Sequence, residues 1–420
     1  MGRLLVAIVL FILIDLFVFR GVLHLTESLE PIWRRILRWG FWVINVSCYF
    51  GVFTLMSRWS KRFDTSNPTD YTHFNVVVGF FIVWGSTKLV FAIFHLLQGF
   101  TDSVRWLISY FREAPSAESH EGMTRSQFFN QVGLGLSAAW LGSLLYGVWR
   151  GRYEFRVIEH EVRIPNLPKA FDGVRIVQIS DMHLGSFNQA FDDVKPGFDL
   201  IAGLKPDYLF FTGDLVNNFA EEAEPWIPFL QSIEAAGGKF SILGNHDYGD
   251  YALRDQPERK SKNFERLLEV HEEMGFRLLR NEHVILKKDG ESLYLIGSEN
   301  WGLGFHQYGD LDKAMRDVPE EACCILLSHD PTHWSEHVIQ RRKQIALTLS
   351  GHTHGSQMGV ELPQFGIKWS PVSVRYSRWG GLYEEGQQLL HINRGFGFLA
   401  FPGRVGMAPE VTLLKLKCMT

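Results

Sequence analysis

Cysteine is scarce in this chain: four among 420 residues, at positions 48, 323, 324 and 418. Their spacing fits neither a zinc motif nor a disulfide framework. Cys323 and Cys324 sit in an apolar run and read as packed core thiols, so cysteine usage indicates no redox compartment. Basic excess is also lacking. A formal net charge of -4 removes the electrostatic signature of a nucleic-acid binder. No unit of roughly 20–50 residues recurs, which excludes solenoids and propellers. No small-residue cleavage site follows the first apolar run, and Asp15 interrupts it, so that run reads as a retained helix and not a signal peptide.

What the chain does have is a division into two halves. Residues 1–150 are rich in Phe, Trp, Leu and Val, and residues 151–420 have the mixed composition of a soluble domain large enough to bury its own core. Four apolar stretches, Leu4–Phe19, Gly40–Met56, Phe74–Leu97 and Phe128–Trp149, reach the ~20 residues that span a bilayer, the first two with help from their flanks. A helical transmembrane region of about four spans is expected. Asp15 and Lys88 fall inside predicted spans. A charge in lipid is costly unless paired, so either the two pair within the bundle or each snorkels to water. The stretch Arg105–Arg112 reads as an interfacial helix or as a continuation of the third span, and the polar stretch Glu113–Glu121 reads as a loop.

Sidedness is balanced on charge. Arg3, Arg58, Lys61, Arg62, Arg150, Arg152 and Arg156 flank the spans on one side, against Arg20, Arg34, Arg35, Arg38, Arg105, Arg112 and Arg125 on the other. Thr124-Arg-Ser-Gln-Phe-Phe129 resembles the start of a twin-arginine export signal with one arginine missing, which places the expected C-terminal domain outside the cytoplasm.

The second half alternates strand-like and helical segments. Val174–Ser180, Tyr208–Thr212, Phe240–Leu243, Ser292–Gly297, Cys324–Leu327, Ile345–Ser350, Leu389–Asn393 and Val411–Leu416 are strand candidates, and a helix is expected around Glu221–Ala235. This predicts an α/β domain with a partly parallel sheet and a second sheet built from Leu293–Gly297 and later runs. Five polar clusters follow the apolar runs: Asp181-Met-His183, Gly213-Asp214, Gly244-Asn245-His246-Asp247, Ser328-His329 and Gly351-His352-Thr-His354. Open α/β sheets place ligands just beyond the carboxyl ends of their strands, so clusters distant in sequence can converge there. Carboxylate, amide and imidazole without thiolate form the donor set of a two-metal hydrolase, with ions ~3.5–4 Å apart. The set suits manganese, iron or zinc better than calcium or magnesium.

These five clusters, complete and in order between about Val174 and Leu416, resemble the calcineurin-like metallophosphoesterase superfamily, most closely a bacterial membrane-associated or exported branch. The resemblance implies a four-layer α/β/β/α sandwich. It implies two divalent ions, the first held by Asp181, His183 and His354, the second by Asn245, His329 and His352, with Asp214 bridging. It implies in-line attack by a metal-bridging hydroxide. His246 would assist the leaving oxygen, its ring held by Asp247 or Asp214. Arg394 and Arg404 lie in a C-terminal stretch similar to that branch and are candidates for gripping a substrate phosphate, or for capping the core. The other histidines, among them His160, His271, His283, His333 and His391, read as ordinary core or surface groups.

A membrane-anchored phosphohydrolase is therefore expected, with a phosphoester substrate, lipid-linked in the leading reading, and with membrane lipids around its helices. Soluble phosphoesters, including cyclic nucleotides, are the alternative substrates. A metal-binding but inactive sensor or scaffold is the alternative outside enzymes, and a transporter resting on Asp15 and Lys88 has the thinnest support. No protein partner and no nucleic acid is inferred.

Overall fold

The computed structural model describes residues 2–62, 69–111, 125–339 and 341–419, with side chains omitted at 2–8, 58–62 and 125–127. The Glu113–Glu121 loop and Thr124 lie outside the described residues. The chain forms two compact units: Met1–Arg62 with Val76–Tyr146, and Phe63–Asn75 with Gly147–Thr420.

The first unit is helical. Its helices come from α1 (Gly2–Leu25), α2 (Pro31–Arg62), α3 (Thr72–Phe111) and α4 (Arg125–Trp149). Among the described residues three segments, Pro31–Ser57, Thr72–Phe111 and Phe128–Tyr153, are long and apolar enough to cross a membrane, and the chain is a membrane protein. Residues 105–111 continue α3 without a break. Asp15 and Lys88 form an ion pair, both buried. Tyr49 donates to the same carboxylate, and Lys88 also reaches the Asn45 amide oxygen, which accepts from the Trp84 indole. The pairing expectation is met, and the extra partners add hydrogen bonds that offset the cost of burying the charges.

The second unit is a four-layer sandwich. Its first sheet runs in the order β1 (Arg156–Ile164), β14 (Glu410–Cys418), β2 (Arg175–Ile179), β3 (Tyr208–Phe211), β4 (Lys239–Ser241), β5 (Arg277–Leu278). The second runs β12 (Gly381–Glu385), β13 (Gln388–Ile392), β9 (Ile345–Ser350), β8 (Cys324–Leu327), β7 (Glu291–Gly297), β6 (Glu282–Lys288). A small hairpin, β10 (Val360–Leu362) with β11 (Ile367–Trp369), stands apart from both. Strand alternation splits each apolar run between two cores. Ile176, Phe210 and Ile242 meet Leu295, Ile325, Leu327 and Leu347 between the sheets. Val177, Ile179, Leu209 and Phe211 face the other way, packing with residues of α5 (Phe191–Gly203) and α7 (Pro257–Glu273).

Two expectations are corrected. The run Val411–Leu416 joins the first sheet, antiparallel to β2 and parallel to β1, and not the second. The helix expected around Glu221–Ala235 is broken into two 3-10 turns and the short α6 (Ile227–Gln231), because Pro225 and Pro228 remove donors the longer helix would need.

Candidate metal centre

The carboxyl ends of β2, β3, β8 and β9 and the loop after β4 carry the five clusters. Each turn is built for its side chain. Asp181, His183, Asp214, His352 and His354 all have left-handed backbone, with φ of 50, 43, 60, 72 and 51°. Residues with a Cβ seldom adopt this conformation, and such strain gathers at functional sites. Glycine is used where a Cβ has no room. A Cβ on Gly351 would run into Ser180 and the Asp181 carboxylate. Gly213, at φ 95°, lies against the Gly244 backbone and His329.

The side chains meet in two groups, Asp181 with His183 and His354, and Asp214 with His329 and His352. In the first, the Nε2 atoms of His183 and His354 lie 3.1 Å apart, and His354 Nε2 is 3.4 Å from Asp181 Oδ1. In the second, His329 Nε2 is 3.1 Å from Asp214 Oδ2 and 3.3 Å from His352 Nδ1. Asp214 Oδ2 is also 3.6 Å from His183 Nε2, so this carboxylate stands between the groups. Asn245 belongs here too. Its Nδ2 donates to the Tyr251 hydroxyl at 2.9 Å, while its buried Oδ1 has no protein partner among the described residues.

Outer partners fix the rings. His329 Nδ1 bonds the Thr212 carbonyl at 2.7 Å, which leaves Nε2 for the centre. His352 Nε2 contacts the Tyr376 hydroxyl at 2.9 Å and lies 3.4 Å from Asp330 Oδ2, which leaves Nδ1. Orienting partners of this kind accompany metal-bound histidines.

Asp181 and Asp214 are almost fully buried, and buried carboxylates need a cation or hydrogen bonds. Burial pushes Asp181 up to about 7, His329 opposing and Asp214 adding to the rise. Burial holds His183 at about 3, a neutral imidazole. His329 goes the other way: against the cost of burial, chiefly the Asp214 carboxylate raises it to about 10. A proton on His329 thus supplies the positive charge that a bound cation would bring. Two buried carboxylates, neutral imidazoles and an orphaned amide oxygen fit divalent metal ions.

His246 stands beside the groups, its ring edge-on to His183 at 4.9 Å between centroids and tilted over Tyr251 at 4.5 Å. The expected carboxylate does not hold this ring. His246 Nδ1 bonds the Asn217 carbonyl at 2.8 Å, and Asp214 Oδ1 accepts instead from the His246 backbone N–H. Asp247 accepts four backbone N–H groups, those of Gly244, Asp214, Leu215 and Val216, and so clamps two ligand loops together. The two arginines are engaged by protein groups, and Arg404 Nη2 lies 3.4 Å from Nδ1 of His354. Arg394 pairs with Glu410 at 2.6 Å and Glu361 at 2.7 Å. Arg404, 2% exposed, donates to the carbonyls of Arg394 and Gly397.

Sequence reasoning missed Asn217, Tyr251, Asp330 and Tyr376. It also missed a buried Glu222, whose carboxylate accepts the N–H groups of Asn217, Asn218 and Phe219 and the Tyr71 hydroxyl. Glu222 therefore shapes the loop whose carbonyl holds His246. Asp330 adjoins His329, and Asn217 lies three residues beyond Asp214, so nearness in sequence was the one signal available.

Residues 174–356 match the calcineurin-like phosphoesterase family, and residues 2–152 match a domain described as the transmembrane domain of a probable calcineurin-like phosphoesterase. The chain is 30% identical to the metallophosphoesterase YkuE of Bacillus subtilis over 70% of its own length and 98% of that protein. It is 28% identical to the UDP-2,3-diacylglucosamine pyrophosphatase LpxG of Chlamydia muridarum, over 62% of this chain and 90% of that one. A transmembrane protein with metallophosphoesterase domain from Danio rerio is 26% identical, over 65% of this chain and 60% of that one. The chain belongs to the calcineurin-like metallophosphoesterases, metal-dependent hydrolases, and joins that domain to membrane helices.

Proposed function

We propose that this protein hydrolyses a phosphodiester or diphosphate bond of a lipid-linked substrate at a centre of two divalent cations, manganese, iron or zinc. The observation that carries the proposal is Asp214, whose carboxylate oxygen lies within 3.6 Å of His183 and 3.1 Å of His329, between two buried ligand groups. Asp181, His183 and His354 would hold one cation, and Asn245, His329 and His352 the other, with Asp214 shared. When bound, such ions polarise the phosphoryl oxygens and make water a nucleophile near neutral pH. The protein's own part is orientation and proton transfer. His246 keeps its Nδ1 proton on the Asn217 carbonyl, so Nε2 is the nitrogen free to pass a proton to the leaving oxygen. Asp247 keeps the Asp214 and Asn245 loops in register.

The lipid-linked substrate is supported by the membrane helices and by relatives named for cleaving UDP-2,3-diacylglucosamine. An extracytoplasmic catalytic unit is supported by the basic, export-signal-like residues at the start of the fourth helix. The test uses the full chain in detergent with manganese, assayed on a lipid-linked diphosphate and on bis(p-nitrophenyl) phosphate. Higher kcat/KM on the lipid-linked ester is expected. Turnover of the soluble diester alone would replace the lipid with a soluble substrate. No turnover of either with two metals bound would contradict the hydrolytic reading.

A further inference from the structure

The β10–β11 hairpin has its polarity reversed. Pairing sets Val360 opposite Trp369, Leu362 opposite Ile367, and Glu361 opposite Lys368. Strand alternation then places the four apolar side chains on one face and the two charged ones on the other. A surface hairpin normally turns its apolar face to the core. Here the charged face is turned in. Glu361 accepts two hydrogen bonds from Arg394, while Lys368 donates to the Gly380 carbonyl and lies 4.9 Å over the Trp379 ring. The apolar face is left outside. Trp369 is 56% exposed, Phe365 at the hairpin tip 72%, and Val374 in the following turn 92%.

This patch adjoins the metal centre. β10 begins shortly after the ligand His354. Behind it Ser370 Oγ donates to the Gly355 carbonyl, and Thr353 Oγ1 donates to the Trp379 carbonyl. Tyr376, just beyond Val374, contacts the ligand His352, and Phe305 packs edge-on against the same ring.

We propose that the outer face of this hairpin, with Phe365 at its tip, rests in the interfacial layer of a lipid bilayer and keeps the centre beside lipid phosphoesters. Three observations favour a bilayer over a protein surface. The chain carries its own membrane helices, which confine its other unit to a bilayer. The apolar element is a narrow two-stranded projection ending in Phe365, not a broad or concave face. Trp369 on the outer face and the nearby cation Arg375 match the aromatic and phosphate levels of a lipid interface. The proposal deepens the lipid-linked reading, and only its activity arm rests on that reading.

The experiment uses the full chain with Cys418→Ser in nanodiscs of phosphatidylcholine and phosphatidylglycerol. A nitroxide is attached at Phe365→Cys and, separately, at the exposed Lys288→Cys on β6. The 365 label is expected to collide more with oxygen than with a water-soluble nickel chelate, and the 288 label the reverse. A 365 label as open to nickel as the 288 label overturns the proposal. So does one shielded from both reagents, which would mean a protein partner or a second copy. In the activity arm, a Phe365→Ser/Trp369→Ser variant should show a roughly tenfold higher KM for a lipid-linked ester in vesicles with bis(p-nitrophenyl) phosphate hydrolysis unchanged. Equal loss on both esters overturns the coupling of the hairpin to substrate. An inserted 365 label in a protein inactive on the lipid ester upholds the bilayer contact and removes the lipid-linked substrate instead.

Discussion

His183 and His354 turn their Nε2 atoms toward each other at 3.1 Å inside the protein, beside the buried Asp181 carboxylate. The buried Asp181 and Asp214 carboxylates beside them are costly to keep charged without a cation. Chelation should therefore lower the thermal midpoint of the second unit as well as abolish turnover, and manganese or zinc should restore both. At a free metal concentration of 1,000 Kd the stabilisation is about 4 kcal/mol. Differential scanning fluorimetry with and without chelator checks this, and equal midpoints would count against resident metals.

The His246 ring is anchored by the Asn217 carbonyl and stands outside both groups of candidate ligands. A His246→Ala variant should retain its metals and lose ~10²–10⁴-fold in turnover on esters with poor leaving groups. The loss should shrink for p-nitrophenyl esters, whose leaving group needs no proton. A paired metal analysis and leaving-group series measures this.

Asp247 bonds to four backbone N–H groups, so its substitution acts through the loops. Asp247→Asn would set an amide N–H against those donors, at about 1–3 kcal/mol for each buried group left unpaired. Weaker metal retention and a lower midpoint are expected together. A catalytic defect with normal metal content and stability would show that Asp247 acts on the substrate after all.

Arg394 shares two carboxylates, one of them the fully buried Glu410. Arg394→Ala strands that charge and should cost about 3–5 kcal/mol. KM for substrate in the folded fraction should stay near the parent value. A large KM increase without loss of stability would return Arg394 to the substrate.

Buried neutral histidines outside the centre set the acid limit. Burial lowers His271 to about 4 and both His333 and His391 to about 3. Each folded-state value lies below the unfolded value of about 6.5, so the unfolded chain binds more protons between those limits. The stability they contribute is present above about pH 6.5 and falls as the pH drops through their folded values. His271→Gln should flatten that fall by up to one proton, about 1.4 kcal/mol per pH unit. Denaturant midpoints of the second unit between pH 7 and pH 4.5 measure it.

The sequence was most legible where one residue type had one local reason to be there. The runs ending at Ser180, Thr212, Leu327 and Ser350 became β2, β3, β8 and β9, because apolar β-rich segments bounded by Gly, Asp or His leave little choice. The ligand clusters followed from their chemistry and the strand ends. What escaped depends on contacts distant in the chain or on groups without identity. β14 pairs with β1 and β2 across more than half the domain, and nothing in Val411–Leu416 specifies which sheet it enters. Arg394 read equally as a phosphate grip or a core cap, and only folding brought Glu361 and Glu410 to it. The partner of His246 is a backbone carbonyl, which every residue has, so no residue type could announce it.

The most direct test of the two-metal account is a titration of metal-free full-length protein with manganese, reading diester hydrolysis per chain. The account predicts that activity climbs to a plateau at two equivalents and that Asp214→Asn shows no plateau in that range. A plateau at one equivalent, or hydrolysis that persists without metal, would contradict it.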